Sequence, residues 1–204
     1  MMEKFLALSE EKQTTIRNAA LACFAKHGYE KASINDIASA AGISKASMFQ
    51  YFGSKPALYE YLLHYCVSQM KKAYDLSILD ANVDFFDRVW KASVMKVENL
   101  KQFPYVAAFI TSAAKEPAEE VRTLLQSTLA DGTDSTETMV LHPEDCAKFK
   151  RPEDAKLVFQ MLILLGYGIV SRCENEMDFE SIMSELESIL KMLKRNFYKE
   201  EYLQ

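Results

Sequence analysis

Glycine and proline are scarce in this 204-residue sequence, which contains six and five of them respectively. Both residues interrupt helices, so their scarcity beside long amphipathic stretches predicts an all-α fold. The sequence also lacks an apolar run of about twenty residues, the length that a membrane-spanning helix needs. Its most apolar stretch, from Leu157 to Val170, is shorter than this and is interrupted by Gln160. No apolar signal-peptide run is found near the N-terminus either, so we expect a cytoplasmic protein.

Sequence patterns for catalysis and metal binding are missing as well. The cysteines show no CxxC or His-Cys spacing that would indicate a disulfide framework or a zinc site; they are Cys23, Cys66, Cys146 and Cys173. Four potential metal ligands match neither an EF-hand nor a zinc motif; they are Asp131, Asp134, Glu137 and His142. The sequence contains no nucleophile–base pair and no glycine-rich phosphate loop. We therefore predict no enzyme activity, no metal and no cofactor.

Positive charge is in short supply, since the net charge is −5. Residues 1–60 hold seven basic and six acidic side chains, and the rest of the chain holds 17 basic and 23 acidic ones. The N-terminal region is therefore about +1 and the remainder −6. This asymmetry favours a nucleic-acid partner at the N-terminus, but it is weaker than the basic footprint of most DNA-binding domains. A dimer that places Lys45 and Lys55 at DNA on each half could bind with few phosphate contacts.

The segment from Ser33 to Lys55 predicts two short helices joined by a tight turn. Ser33 and Ser44 stand where the N-caps of the two helices belong. Gly42 stands where a residue in the left-handed region ends the first helix, a conformation that glycine adopts at little cost.

The second of these helices has two distinct faces. Spacing of four places Met48 and Phe52 on its inner side, and the outward strip holds a cation, a small residue, an aromatic ring and an amide, which are Lys45, Ala46, Phe49 and Gln50. The major groove of DNA admits such a helix, and lysine and glutamine side chains there can address base edges. The alternative interpretation is two ordinary core helices joined by a glycine cap.

The same segment resembles the DNA-binding signature of the TetR family of bacterial transcriptional regulators. The shared elements are a cap, an Ile-Ala pair, an Ala-Gly turn, an aromatic cluster and a Ser-Lys dipeptide, here Ser33, Ile37-Ala38, Ala41-Gly42, Phe49-Gln50-Tyr51-Phe52 and Ser54-Lys55. The resemblance covers residues 12 to 62, about a quarter of the chain. It implies DNA contacts from Ser33, Ile34, Asn35, Ser44, Lys45, Ala46, Ser47, Phe49, Gln50, Tyr51 and Lys55.

Different roles are expected within this set. Lys55 begins the next helix, and we expect its ammonium and the N-terminal amides of that helix to hold one phosphate. Lys45 and Gln50 are expected to touch base edges, with apolar contact from Phe49. Phe49 is a departure from the resemblance, because the family commonly has a tyrosine there whose hydroxyl reaches a phosphate. Phenylalanine cannot donate that hydrogen bond.

Helical periodicity extends the predicted architecture on both sides of this segment. A helix from Glu10 to His27, capped by Ser9 and ended by Gly28, completes a three-helix DNA-binding domain of residues 1–53. A fourth helix begins after Ser54 and runs to about Leu76 or Leu79, into a larger domain of residues 54–204. In a switch this helix would act as the lever.

The larger domain is predicted to bind a small molecule. Further helices are expected at residues 82–101 and after Pro104 and Pro117, followed by a loop over residues 131–150. Aromatic and sulfur side chains on these helices could line an apolar cavity; the candidates are Met70, Tyr74, Phe86, Trp90, Met95, Phe103, Tyr105 and Phe109. The alternative is that each of them is plain core.

The last two helices are predicted to form a dimer interface. Leu157 to Val170 is apolar on nearly every side, and the helix from Phe179 to about Tyr198 carries an apolar stripe at spacing of three and four. Two such helices from each copy make a four-helix interface, and the TetR resemblance implies the same location. The expected interface residues are Leu157, Met161, Leu164, Leu165, Ile182, Leu186, Ile189 and Leu193.

Together these patterns predict a dimeric, ligand-responsive transcriptional regulator. We expect a repressor that leaves a palindromic DNA operator when a small hydrophobic or amphipathic inducer binds. The alternative function is an all-helical small-molecule carrier or enzyme whose helix-turn-helix is purely structural.

Overall fold

A computed structural model describes residues 2–72, 74, 79, 83–172 and 178–203, without the side chains of residues 129–136 and 170–172. In chain order its helices are α1 (Met2–Leu6), α2 (Glu10–Lys31), α3 (Ile34–Ala40), α4 (Lys45–Phe52), α5 (Lys55–Lys72), α6 (Phe85–Gln102), α7 (Pro104–Ala113), α8 (Glu119–Val140), α9 (Pro143–Cys146), α10 (Asp154–Arg172) and α11 (Phe179–Phe197). A single 3-10 turn follows at Glu200–Tyr202. The all-α prediction is confirmed. Among the described helices, none combines the length and the apolar character needed to cross a membrane.

The chain divides into two compact units. The first unit comprises Met1–Ser68 and Phe103–Thr128, and the second comprises Gln69–Gln102 and Leu129–Gln204. Helices α5 and α8 each contribute residues to both units. The boundary predicted between residues 53 and 54 separates a DNA-binding domain from a ligand-binding and dimerisation domain. This division by function stays a prediction.

The first unit is built on the packing of α2 against α7. Three fully buried aromatic rings from different helices meet there: Phe24 lies 4.9 Å from Tyr59, and Tyr59 lies 4.9 Å from Phe109, between ring centroids. Such aromatic pairs add stability beyond the area that they bury. Helix α3 packs on α2, and α4 packs on both α3 and α1.

Helix α1 is an element that the sequence analysis missed. Its Phe5 is completely buried, with ring centroids 4.9 Å from Phe52 and 5.4 Å from Tyr61. The side-chain amide of Gln13 donates to the carbonyls of Leu6 at 3.1 Å and Leu8 at 2.9 Å and so satisfies the end of the helix. Five residues are too few for a periodic signal, and the helix is held by this tertiary packing rather than by propensity.

Two helix boundaries differ from those predicted. Helix α2 continues past Gly28 to Lys31, although Gly28 itself has φ 71° and breaks the helical geometry as expected. The loop predicted over residues 131–150 is wrong, because α8 runs to Val140 and α9 follows at Pro143–Cys146. Val140 is buried at the end of α8, and burial of this kind overrides the low helix propensity of the polar residues before it.

The second unit has its own aromatic core, where α6 packs on α11. Phe86 and Phe149 each lie about 5 Å from Tyr198, at 5.0 and 4.9 Å between ring centroids. A buried ion pair joins Arg88 to Asp145, and the same carboxylate also accepts from Lys148 at 3.2 Å. The fourth predicted helix is described as far as Lys72, and its predicted end near Leu76 or Leu79 falls mostly outside the described residues.

Candidate nucleic-acid interface

The turn between α3 and α4 has the geometry that its sequence predicts. Gly42 has φ 67°, in the left-handed region. Its N–H donates to the carbonyl of Ser39 at 3.1 Å, and the N–H of Ile43 donates to Ala38 at 3.0 Å. These two bonds form a Schellman motif, which satisfies the last carbonyls of α3 and turns the chain sharply into α4.

Serine side chains cap both helices of this motif. Ser33 Oγ accepts from the N–H of Asn35 at 3.1 Å, and Ser44 Oγ accepts from the N–H of Ser47 at 3.0 Å. The hydroxyls of Ser44 and Ser47 are also hydrogen-bonded, at 2.9 Å. Because the caps use side chains at the start of each helix, the two short helices are fixed despite having only seven and eight residues.

Helix α4 turns one apolar face inward and one mixed face outward, as predicted. Met48 is 1% exposed and Phe52 5%, whereas Phe49 on the opposite side is 42% exposed. Lys45 Nζ lies 6.0 Å from the centroid of the Phe49 ring, at the outer limit of a cation–π contact. The exposed apolar ring and the cation beside it leave this face of α4 available for a partner.

The residues predicted to contact DNA fall into two groups by exposure. The exposed ones are Asn35, Ser44, Lys45, Ala46, Phe49 and Gln50, and the partly buried ones are Ser33, Ile34, Ser47, Tyr51 and Lys55. Tyr51 packs sideways, with its ring 6.1 Å from Phe5 and 6.3 Å from Phe52. Four of the exposed residues form the outward strip of α4, Ser44 directly precedes that helix, and Asn35 lies at the start of α3.

Lys55 has partners that the sequence did not predict. Its Nζ donates to the carbonyls of Tyr29 at 2.9 Å, Glu30 at 3.1 Å and Ala32 at 3.3 Å. It also lies 4.8 Å from the centroid of the Tyr29 ring. An ammonium has three N–H donors, so the phosphate contact predicted for Lys55 competes with three protein hydrogen bonds. Sequence reasoning missed this role because the acceptors are backbone atoms 23 to 26 residues away.

The end of α2 also forms hydrogen bonds with two glutamates that follow α7 in the chain. Glu116 Oε2 accepts from the N–H of Tyr29 at 2.7 Å, and the Tyr29 hydroxyl donates to Glu120 at 3.0 Å. Burial raises the pKa of Tyr29 to about 12, and the hydrogen bond with Glu120 adds to this effect. Tyr29 therefore links the first unit's helix-turn-helix to the segment between α7 and α8.

The predicted ligand-binding residues are distributed over both units. Met70, Tyr74, Phe86, Trp90 and Met95 belong to the second unit, and Phe103, Tyr105 and Phe109 belong to the first. Phe86 and Phe109 are buried in the cores described above, while Phe103 and Tyr105 are exposed. The apolar cavity that these residues were expected to line stays a prediction.

One small groove involves two of these side chains. Phe86, Trp90 and Leu190 form its apolar floor between α6 and α11, with a volume of about 140 Å³. The lysines at its edge are already paired, Lys191 with Glu187 at 2.6 Å and Lys194 with Asp84 at 2.5 Å. Nothing in this lining calls for a charged ligand. Among the described residues no cluster of acidic, histidine and cysteine side chains could hold a metal ion.

The predicted dimer residues separate into exposed and buried positions. Leu157, Met161 and Leu164 on α10 are exposed, with Leu164 69% accessible. Leu165, Ile182, Leu186 and Ile189 are partly buried. Leu193 is only 5% exposed and packs in the core of the second unit, so within the unit it has a structural role. Periodicity identified the apolar stripe of α11 but could not assign each position to the core or to a partner.

The fold and this interface define an all-α protein with an N-terminal helix-turn-helix of the DNA-binding type. Residues 16–62 match the family model of bacterial regulatory proteins of the tetR family. The resemblance to the TetR family predicted from the sequence is thereby confirmed over the helix-turn-helix segment.

Similarity to individual proteins is local in sequence and extensive in fold. A protein described as a mycofactocin biosynthesis transcriptional regulator, MftR, of Mycobacterium tuberculosis is 44% identical over 43 residues, which are 21% of this chain and 22% of that protein. The matched segment thus spans about a fifth of that relative's length.

Solved structures resemble the chain over most of its length. The fatty acid degradation regulator FadR of Bacillus halodurans aligns with a TM-score of 0.70 at 18% identity, covering 87% of this chain and 96% of that one. FadR of Bacillus subtilis, solved in complex with stearoyl-CoA, gives 0.70 at 15% identity with the same coverage. A TetR-family regulator of Rhodococcus gives 0.67 at 18% identity, covering 89% and 99%. At these identities the similarity concerns the fold.

Proposed function

We propose that this protein is a cytoplasmic, homodimeric repressor that binds a palindromic operator and is released from it by a small hydrophobic or amphipathic inducer. The observation that carries the proposal is the exposed strip of α4 on a capped and tightly turned helix pair. A strip with a lysine, an aromatic ring and a glutamine on a helix of two turns fits the major groove of DNA.

The proposed contacts to bases come from Lys45 and Gln50. Both are exposed and stand on the outward strip, with Phe49 between them. A lysine ammonium suits the O6 and N7 acceptors of guanine, and a glutamine amide suits N6 and N7 of adenine. Phe49 offers apolar contact, for example to the methyl group of thymine. Phosphate contacts from Ser33, Ser44 and Ser47 are less central, because the hydroxyls of Ser33 and Ser44 already cap α3 and α4 and that of Ser47 is hydrogen-bonded to Ser44.

A second copy of the chain is proposed to cover the exposed face of α10. Leu157, Met161 and Leu164 follow one another at spacing of four and three, so they lie along one side of the helix. Contiguous exposed apolar side chains often mark an interaction surface, whereas single scattered ones do not. Partly buried residues of α11, including Ile182 and Leu186, border the proposed interface. A two-fold dimer then presents two copies of α4, and the operator would be palindromic.

We propose that the inducer binds in the larger predicted domain, residues 54–204. Support comes from the aromatic and methionine side chains predicted for this domain and from the fold shared with a FadR that was solved with stearoyl-CoA. A ligand can shift an equilibrium only through its differential affinity for the two conformations. Because α5 contributes residues to both units and begins directly after α4, we propose that it carries this shift to the DNA-binding segment.

The alternative, a carrier or enzyme with a purely structural helix-turn-helix, makes a different prediction in solution. Binding of purified protein to a mixed-sequence duplex is measured by fluorescence anisotropy at increasing salt, and a tight-binding duplex is selected from a random library. A repressor dimer binds the selected duplex, and its affinity falls steeply with salt because phosphate contacts release counterions. A carrier or enzyme shows no affinity for either duplex, and that outcome would refute the proposal.

A further inference from the structure

Lys55 lies at the short connection between α4 and α5. It is the first residue of α5 and follows the last residue of α4, Phe52, after only Gly53 and Ser54. Gly53 has φ 79°, so the chain reverses there in a left-handed conformation. Any anchor on Lys55 therefore fixes where α4 ends.

The anchor is the C-terminal end of α2. The carbonyls of Tyr29, Glu30 and Ala32 converge on Nζ of Lys55, at 2.9, 3.1 and 3.3 Å. The last carbonyls of a helix have no partner inside it, and a cation at this end also meets the negative pole of the helix dipole. The ring of Tyr29 adds a cation–π contact at 4.8 Å. The ammonium thus directs all three of its donors at carbonyls of this helix end.

We propose that Lys55 is a positioning residue for the recognition helix α4 and not an anchor for a DNA phosphate. The inference rests on the proposed function, since it concerns how the DNA-reading face is oriented. By tying the start of α5 to the end of α2, Lys55 holds α4 at a fixed angle to the rest of the helix-turn-helix. Specific binding depends on that angle, because the side chains of α4 reach base edges only in one orientation.

The first test uses the unaltered protein and lysine footprinting. The protein is treated with a low dose of acetic anhydride, free and with a selected duplex, and acetylation of each lysine is followed by mass spectrometry. In the free protein Lys55 should react about tenfold or more slowly than Lys45, because its ammonium must first leave three hydrogen bonds. Adding DNA should protect Lys45 and leave Lys55 unchanged. A Lys55 that reacts freely and becomes protected only by DNA would overturn the inference.

The second test separates positioning from phosphate binding by salt dependence. Lys55→Met should lower the affinity of the protein for the selected duplex at least about tenfold. It should leave unchanged the affinity for mixed-sequence DNA and the slope of log K against log[salt]. A lost phosphate contact would instead reduce the slope by about 0.9 for each copy. Lys55→Arg sharpens the comparison, because a planar guanidinium binds phosphate well but cannot direct three donors at converging carbonyls. Full rescue of binding by arginine would overturn the inference.

Footprinting with and without DNA also distinguishes a failure of this inference from a failure of the proposed function. Protection of Lys55 in the free protein is measured without DNA, so it stands or falls by itself. If no duplex is bound and Lys45 is never protected, the proposed function fails, and the role of Lys55 in DNA reading fails with it. Circular dichroism of both variants establishes that they are folded, and the footprint of the unaltered protein decides the case if they are not.

Discussion

The backbone N–H of Tyr29 donates a 2.7 Å hydrogen bond to Oε2 of Glu116, a residue 87 positions further along the chain. The bond is buried and lies directly after Gly28, where α2 loses its helical geometry. That break frees the Tyr29 amide from the helix, and Glu116 supplies the acceptor that the helix no longer provides. The charge of Glu116 also adds to burial in raising the pKa of Tyr59.

Glu116→Ala should therefore destabilise the protein. Removing the carboxylate leaves the buried amide of Tyr29 without a partner, which costs about 1–3 kcal/mol. Urea denaturation followed by circular dichroism measures the change in the free energy of unfolding. Glu119→Ala is the matched control, because Glu119 is exposed and its ion pair with Arg122 is long, at 4.0 Å. Equal effects of the two substitutions would show that the Tyr29 bond is not important for stability.

Gly42→Ala tests the turn between α3 and α4. A Cβ at this position meets no atom within 4 Å, so the expected cost is conformational alone. A left-handed conformation costs an ordinary residue about 1–2 kcal/mol, and asparagine adopts it more readily. We expect Gly42→Ala to lower the free energy of unfolding by about that amount and Gly42→Asn to lower it by less. If alanine proved harmless, the left-handed turn would not be present in solution.

Local signals predicted the helix-turn-helix well, because helix caps and tight turns depend on residues that are close together in the sequence. Ser9, Ser33, Ser44 and Gly42 all occupy the positions that the sequence assigned to them. Long-range contacts were not predictable in this way. The carbonyl partners of Lys55 lie on a different helix and carry no side-chain signature.

The same limit applies to other parts of the chain. Phe5 is buried through contacts with α4 and α5, so its burial cannot be predicted from the sequence of α1 alone. Leu193 and Leu164 are both apolar residues at helical spacing, and only packing makes one of them core and leaves the other exposed. Periodicity shows that a face is apolar, but not which neighbour covers it.

The raised pKa of Tyr29 predicts a loss of stability at high pH. The folded state keeps the hydroxyl proton up to about pH 12, whereas an unfolded tyrosine loses it near pH 10. The contribution is therefore complete below pH 10 and is lost as the pH rises through about 10 to 12. Tyr29→Phe should make the fall of thermal stability between pH 10 and 12 shallower. Tyr202→Phe, at an exposed position, is the control and should leave the profile unchanged.

Leu164→Glu tests the proposed dimer. Leu164 is the most exposed large apolar residue among the described side chains of α10, and a charge there would be buried without a partner in a dimer. Such a charge costs about 3–5 kcal/mol, enough to yield monomers at micromolar concentration in analytical ultracentrifugation. DNA binding should be lost together with dimerisation. Gln126→Glu introduces the same change in charge at an exposed position of α8 and should leave the dimer intact. A stable monomer in the unaltered protein would remove the proposed interface altogether.

Gln50→Ala tests whether α4 reads DNA sequence. The Gln50 amide is exposed on the outward strip, away from the buried Met48 and Phe52, so its removal should not alter the fold. Loss of an amide contact to a base should relax the preference at particular base pairs by about 1–3 kcal/mol while the affinity for mixed-sequence DNA is kept. Selection of duplexes from a random library by the variant and by the unaltered protein measures this difference position by position. Gln126→Ala, at an exposed amide on α8, is the control. A uniform loss of affinity across all sequences would instead assign Gln50 to the phosphate backbone, and an unchanged preference with unchanged affinity would exclude this face of α4 as the reading surface.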